Sequence, residues 1–322
     1  MFVQPRRVGT DFSGYAVEFS PFHEHWVAVG TAQYFGIIGN GQAVAMELMP
    51  DGSLATMRSF DTQDGVYDIA WSEMHPNQLV AGCANGHLKL FDVTTRDSFP
   101  IQSFAEHTQE VSGVNWNLVD RQTFVSASWD HSIKVWHPHH PTSLQTLHGH
   151  TGPVYNAVWS TREASHVASC SGDGSVRVWD LKVPGQAVCH IAAHAHDVLA
   201  LDWNKYSPYE VVSGSADASL KVWDIRNVSA EVRHLRGHQY AVRRIKCSPH
   251  DRHVVGSASL DMSVRLWNTQ AVHPHMQCAT HHTEFVLGLD FSLFAPGLVA
   301  SCSWDRSIVM WNHRGGPPPR AV

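Results

Sequence analysis

An aromatic residue followed by a polar one recurs along the chain at Phe91-Asp92, Trp136-His137, Trp179-Asp180, Trp223-Asp224, Trp267-Asn268 and Trp311-Asn312, with spacings of 45, 43, 44, 44 and 44 residues between successive aromatics. A period this long and regular demands one supersecondary unit repeated, each copy burying its apolar face against the next. Length alone suggests about two domains for a chain of 322 residues, but a closed repeat array runs longer as one unit. Within one period the strand signals are Val154 to Trp159, His166 to Ser171, Ser175 to Trp179 and a fourth around Ala187 to Ile191, with Gly172-Asp173-Gly174 as the hairpin turn between the second and third. Four short antiparallel strands per period make one radial sheet.

Two more copies precede the clear ones: a degenerate copy from Gly65 to Asp92, and Gly14 to Leu48, which has an inner-strand run Tyr15 to Ser20 but no aromatic-polar ending. The expected fold is therefore all-β, a seven-bladed propeller over residues 1–313 followed by a Gly/Pro-rich tail at 314–322. In this the chain resembles the WD-repeat family along its length. The last copy stops at Trp311, before Arg314-Gly315-Gly316-Pro317-Pro318-Pro319, which cannot continue a ladder. An N-terminal strand drawn from roughly Phe2 to Val8 would complete that blade, close the ring and remove a sheet edge.

Ser, His and Asp also keep the period: His107, Ser126 and Asp130; His150, Ser169 and Asp173; His194, Ser213 and Asp217; His238, Ser257 and Asp261; His282, Ser301 and Asp305. A hydrolase needs one such triad at one cleft beside an oxyanion hole. Five copies at blade spacing point instead to a structural network joining each set to its third-strand tryptophan. The second copy carries Thr62, Ala81 and Asn85 at these places, so its network is incomplete, and the first copy has none. No catalytic residue is assigned and an enzyme is not expected.

Charge excludes more. With 23 Lys and Arg against 29 Asp and Glu the net charge is -6, which offers no global field for nucleic acid or anionic lipid and favours a basic or neutral partner. No stretch approaches the roughly 20 apolar residues of a membrane span, and Met1 to Asp11 has no apolar run, so neither membrane insertion nor a secretory signal is expected. The six cysteines lie far apart without a C-x-x-C pair, which fits a reducing, cytosolic setting. Pro138 interrupts the cluster His137, His139 and His140, and His273 and His275 stand elsewhere, with no Cys or carboxylate at site-forming spacing; no metal site is expected. The glycines sit at turn positions set by the period, so no nucleotide or other cofactor is expected.

The loops before the inner strands and the hairpins between second and third strands share one face of a propeller. On that face fall Asp64, Glu110, Asp197 and Glu284, with Trp129 and Trp304 each just before a turn aspartate. Carboxylates with tryptophans suit an amphipathic helix bearing a basic residue.

Beyond the generic repeat, Gly14 to Pro21, Ser59-Phe60-Asp61, Asp64-Gly65, Glu106 to Val111, Tyr240 to Arg244, His281-His282-Thr283-Glu284-Phe285 and Gly288 to Ser292 resemble the peroxin family of receptors for the type 2 peroxisomal targeting signal. The resemblance implies binding of cargo proteins through an N-terminal signal of the form Arg-Leu, five variable residues, His or Gln, Leu, whose key residues share one helix face. It implies a co-receptor that closes over the signal, a peroxisomal docking complex, and a cytosolic protein that shuttles to the peroxisome. Carried over by position, Glu110 and Asp197 pair with the signal's arginine, Asp64 comes next and Glu284 after it, and Trp129 and Trp304 cover apolar residues. The endings Trp136-His137 and Trp267-Asn268 depart from the family pattern. The alternative is a generic WD-repeat scaffold, such as a ubiquitin-ligase substrate adaptor or a histone-tail binder, using the same face.

Overall fold

The computed structural model describes residues 5–183 and 185–314; the remainder of the Pro-rich tail and Phe2 to Gln4 lie outside them. Seven four-stranded antiparallel sheets stand around a common axis. Their innermost strands are Ser13–Phe19, Val66–Trp71, Val111–Trp116, Val154–Trp159, Val198–Trp203, Val242–Cys247 and Val286–Phe291, which open blades 1 to 7 in order. The first copy, despite lacking the aromatic-polar ending, is a complete sheet from Ser13 to Asp61. The fourth strand of blade 4 is Cys189–Ala192, slightly later than the apolar run alone suggested.

The ring closes as the sequence implies. Arg6–Gly9 adds the outermost strand to blade 7, pairing antiparallel from Arg6 opposite Met310 to Gly9 opposite Ser307. Pro5 stands just ahead of this strand rather than within it, so its missing N–H interrupts no ladder bond. Arg7 anchors the strand further, donating to the His281 carbonyl and reaching Asp305 at 3.3 Å.

No single central core exists; the apolar side chains lie in layers between neighbouring blades. Trp71, Leu79 and Phe91 of blade 2 pack on Ala28 and Phe60 of blade 1, and Trp203 and Trp223 of blade 5 pack on Val176 and Ile191 of blade 4. Cys302 belongs to such a layer between blades 7 and 1, and Cys83 and Cys170 lie in others, which explains small thiols in strand runs.

Polar side chains stitch the innermost strands to one another. Asp68 accepts from the Val114 N–H at 2.9 Å, Asn115 from Trp159 at 2.9 Å, Asp202 from Cys247 at 2.6 Å and Asp290 from Phe19 at 2.8 Å. Each carries a bond across one blade boundary. The Arg244 guanidinium grips Asp68 with both terminal nitrogens, at 2.7 and 3.3 Å, joining blade 6 to blade 2 through the axial channel. Burial beside Asp290 and Asp68 pushes the Glu18 carboxyl up to about 8, with Lys246 opposing the rise. Among the described residues no helix is long and apolar enough to cross a membrane.

Candidate binding face

The five Ser-His-Asp sets are internal struts. In blade 4, His150 meets Asp173 at 2.8 Å through Nδ1 and Ser169 at 2.8 Å through Nε2, and the Trp179 indole N–H donates to the same Ser169 hydroxyl at 2.8 Å. The same chain of bonds runs through His107, His194 and His238 to Trp136, Trp223 and Trp267. With neutral imidazoles, Nδ1–H donates to the carboxylate and Nε2 accepts from serine, an assignment made from the network. Blade 7 departs from the pattern: His282 holds Asp305 at 3.0 Å and Ser301 at 2.8 Å, but the buried Trp311 indole N–H has no partner among the described residues. No serine in these sets is exposed, each being buried within its blade, so none is available to attack a substrate.

The aspartates also accept from the turn backbone and hydroxyls, as Asp217 does from the Ser219 N–H at 2.8 Å and Oγ at 2.7 Å. Burial opposes the ionisation of Asp130, Asp173, Asp261 and Asp305, yet the bonds from histidine and serine hold them well below the usual carboxylate range. Their contribution to stability is complete above the unfolded carboxylate pKa and is lost as pH falls toward the depressed folded value. Asp217→Ala leaves His194 Nδ1 and the Ser219 N–H without acceptors and lowers stability by about 2 to 4 kcal/mol. Thermal or urea unfolding measures this, and an unchanged melting temperature contradicts it. Blade 2 replaces the network: Asn85 donates to Asp64 at 2.7 Å, and Thr62 donates to the Asp64 carbonyl at 2.6 Å.

All seven innermost strands carry a β-bulge near their start, after the first residue in blades 2 to 7 and after the second, Gly14, in blade 1. A bulge leaves one residue unpaired and re-aims its side chain. The residues so placed are Tyr15, Tyr67, Ser112, Tyr155, Leu199, Arg243 and Leu287, a ring at the end of the strands where the preceding loops and the second hairpins meet. Three tyrosines in this ring continue into an aromatic belt. Phe285 meets Trp304 at 5.2 Å, Trp304 meets Tyr15 at 5.8 Å, Tyr15 stacks on Tyr67 at 5.1 Å, Tyr67 meets Trp129 at 6.5 Å and Trp129 meets Tyr155 at 6.1 Å between ring centres.

Above the belt rises the hairpin loop of blade 1, where Phe35 lies 5.0 Å from Trp304. Tyr34 and Phe35 take left-handed backbone angles there, at φ 47° and 58°, a costly conformation for bulky side chains. Tyr15 and Tyr67 hold it by donating from their hydroxyls to the Phe35 and Gly36 carbonyls.

The period, the closed ring and the repeated struts agree with one family. The repeat described as "WD domain, G-beta repeat" matches residues 50–92, 98–137, 141–180, 185–224, 229–268 and 275–312. The chain belongs to the WD-repeat family. It is also similar to proteins named "Peroxisomal targeting signal 2 receptor": 47% identical over 136 residues to that of Saccharomyces cerevisiae, covering 42% of this chain and 36% of the relative. To that of Dictyostelium discoideum it is 45% identical over 134 residues, 41% of this chain and 42% of the relative, and to that of Homo sapiens 42% identical over 138 residues, 42% of each. The matched stretch spans less than half the length of each of these relatives.

In this WD-repeat protein the sequence-derived carboxylates do not all meet. A recurrent backbone bond draws each second hairpin onto the residue ahead of the innermost strand: Trp129 N–H to the Glu110 carbonyl at 3.0 Å, Ala216 to Asp197 at 2.9 Å and Trp304 to Phe285 at 3.0 Å. It sets Trp129 beside Glu110. Burial raises the Tyr67 phenol, and the nearby charges of Glu110 and Asp64 add to the rise while Arg243 opposes it. Asp197 accepts from the Tyr155 hydroxyl at 3.0 Å, and burial with this bond pushes the phenol up to about 12. Asp64, Glu110 and Asp197 therefore border the blade 2 to blade 5 side of the belt. Glu284 is exposed on blade 7, and its carbonyl accepts from Ser303.

Among these carboxylates Glu110 and Glu284 have no side-chain hydrogen bond among the described residues, whereas Asp64 and Asp197 are already partly engaged. The belt tyrosines and Arg243 went unassigned in the sequence. Their signal was available: Tyr67, Tyr155 and Arg243 stand one residue after the residue that opens the innermost strand, and Tyr15 stands two after.

Proposed function

We propose that this propeller is a peroxisomal import receptor that binds the type 2 targeting signal of cargo proteins, and that it is a binding platform rather than an enzyme. The observation that carries the reading is the unbroken aromatic belt bordered on one side by Asp64, Glu110 and Asp197. An amphipathic helix laid on the belt buries its leucines against Trp129, Trp304 and the tyrosines, and its arginine reaches the carboxylates. Glu110 is the first partner of that arginine because its carboxylate makes no hydrogen bond among the described residues; Asp197 and Asp64 support it. Glu284, on blade 7, is a secondary choice. The names of the relatives support a targeting-signal receptor.

A co-receptor that covers the exposed side of the bound helix, and a docking complex at the peroxisomal membrane, complete the cycle of a protein that moves between cytosol and peroxisome. The test is fluorescence anisotropy with a labelled peptide of the pattern Arg-Leu-x5-His-Leu, with and without co-receptor. Binding that disappears when the peptide arginine becomes glutamate supports the receptor; no binding of either peptide in both conditions leaves only a generic WD-repeat scaffold.

A further inference from the structure

Arg243 differs from every other residue of the bulge ring in carrying a charge. Its neighbours in the axial channel are neutralised in place: Arg244 by Asp68 at 2.7 Å, Lys205 by Asp202 at 2.8 Å and Lys246 by Asp290 at 3.5 Å. Arg243 has no carboxylate partner among the described residues. Its one hydrogen bond runs from Nη1 to the Leu199 carbonyl at 3.3 Å, and its guanidinium carbon lies 6.0 Å from the centre of the Tyr155 ring. A guanidinium has five N–H donors, so most of the fork is unused.

The surroundings define what fits. Arg243 shares the bulge ring with Tyr15, Tyr67 and Tyr155, and its charge opposes the rise that burial imposes on all three phenols. Their hydroxyls are already spent on Phe35, Gly36 and Asp197. They offer ring faces and low polarity, while Arg243 supplies the free donors. Low polarity strengthens a charge-assisted bond and makes a lone cation costly, so an incoming anion gains on both counts.

We propose that Arg243 is the binding site for a carboxylate of the bound peptide, donating to an acidic side chain at one of the variable positions of the targeting signal. The face is then bipolar: the rim carboxylates take the arginine of the helix and the channel mouth takes an acidic side chain, which fixes the direction in which the helix lies. This rests on the receptor reading above.

The test uses the full chain and ten peptides of the pattern Arg-Leu-x5-His-Leu, with each variable position in turn made Glu or Gln. On the wild type, one Glu peptide binds about tenfold more tightly than its Gln counterpart, as a bond between charged groups contributes. Arg243→Gln abolishes that preference while leaving the affinity of the Gln peptide within about twofold, and Arg243→Lys restores part of it. A merely structural Arg243 weakens every peptide equally when replaced, and that result overturns the proposal. Equal binding of Glu and Gln peptides at all positions by the wild type overturns it as well, without touching the receptor reading. Failure of every peptide to bind removes both.

Discussion

A Glu110→Arg variant binds an Arg-Leu-x5-His-Leu peptide at least ~30-fold more weakly than the wild type, a loss of about 2 kcal/mol, and melts at the same temperature. The two halves of this result have separate origins. The Glu110 carboxylate makes no internal hydrogen bond among the described residues, and the link that orders its loop is the backbone bond from the Trp129 N–H to the Glu110 carbonyl, which the substitution leaves in place. The fold therefore has little to lose. The ligand loses a charge-assisted bond and gains a like charge beside the Trp129 ring, where partial burial weakens screening.

Asp197→Arg weakens the same peptide and also perturbs the site, because it removes the acceptor of the Tyr155 hydroxyl. A drop in melting temperature accompanies the loss of binding in that variant and separates the two carboxylates. Anisotropy titration with parallel thermal unfolding reads both. Unchanged affinity in the folded Glu110→Arg protein removes Glu110 from the recognition of arginine.

Asp68→Ala destabilises the propeller by about 3 to 5 kcal/mol, a larger effect than loss of any one turn aspartate. Asp68 makes two links between blades at once: it accepts from the Val114 N–H of blade 3 at 2.9 Å and takes both terminal nitrogens of Arg244 of blade 6 from across the channel. Removing it strands a guanidinium whose neighbour, Arg243, is also positive. The double variant Asp68→Ala, Arg244→Met recovers part of the loss, since the stranded charge goes with the pair. Urea unfolding of the three proteins measures the effect, and equal stability of wild type and Asp68→Ala would show that the channel pair carries none.

Much of the architecture was legible in the chain. The spacing of aromatic-polar endings gave the blade period, and the Ser, His and Asp sets fell at places where local geometry repeats, so one reading applied to five blades. The closing strand was legible by subtraction, because the last copy lacked a fourth strand and the residues ahead of the first were unassigned. Among the described residues it runs Arg6–Gly9, one residue past the expected end at Val8, with its register set by ladder bonds to Ser307–Met310. The missing bond at Trp311 was not legible, because its blade has the same residue types as the others.

The site divides along the same line. The sequence by itself determined the repeat, the number of blades, the closure and the end of the propeller on which Asp64, Glu110, Asp197, Trp129 and Trp304 fall, because these follow from periodicity and from the two-residue alternation of strands. Only the tertiary structure decided that Asp64, Glu110 and Asp197 border one side of a belt while Glu284 stands apart, that Tyr15, Tyr67 and Tyr155 join the tryptophans, and that Arg243, unlike Arg244, Lys205 and Lys246, lacks a carboxylate partner among the described residues. The reason is ring closure: residues dozens of positions apart become neighbours across the axis, and a bulge in each innermost strand turns one side chain per blade toward the mouth, a re-aiming that periodicity does not encode.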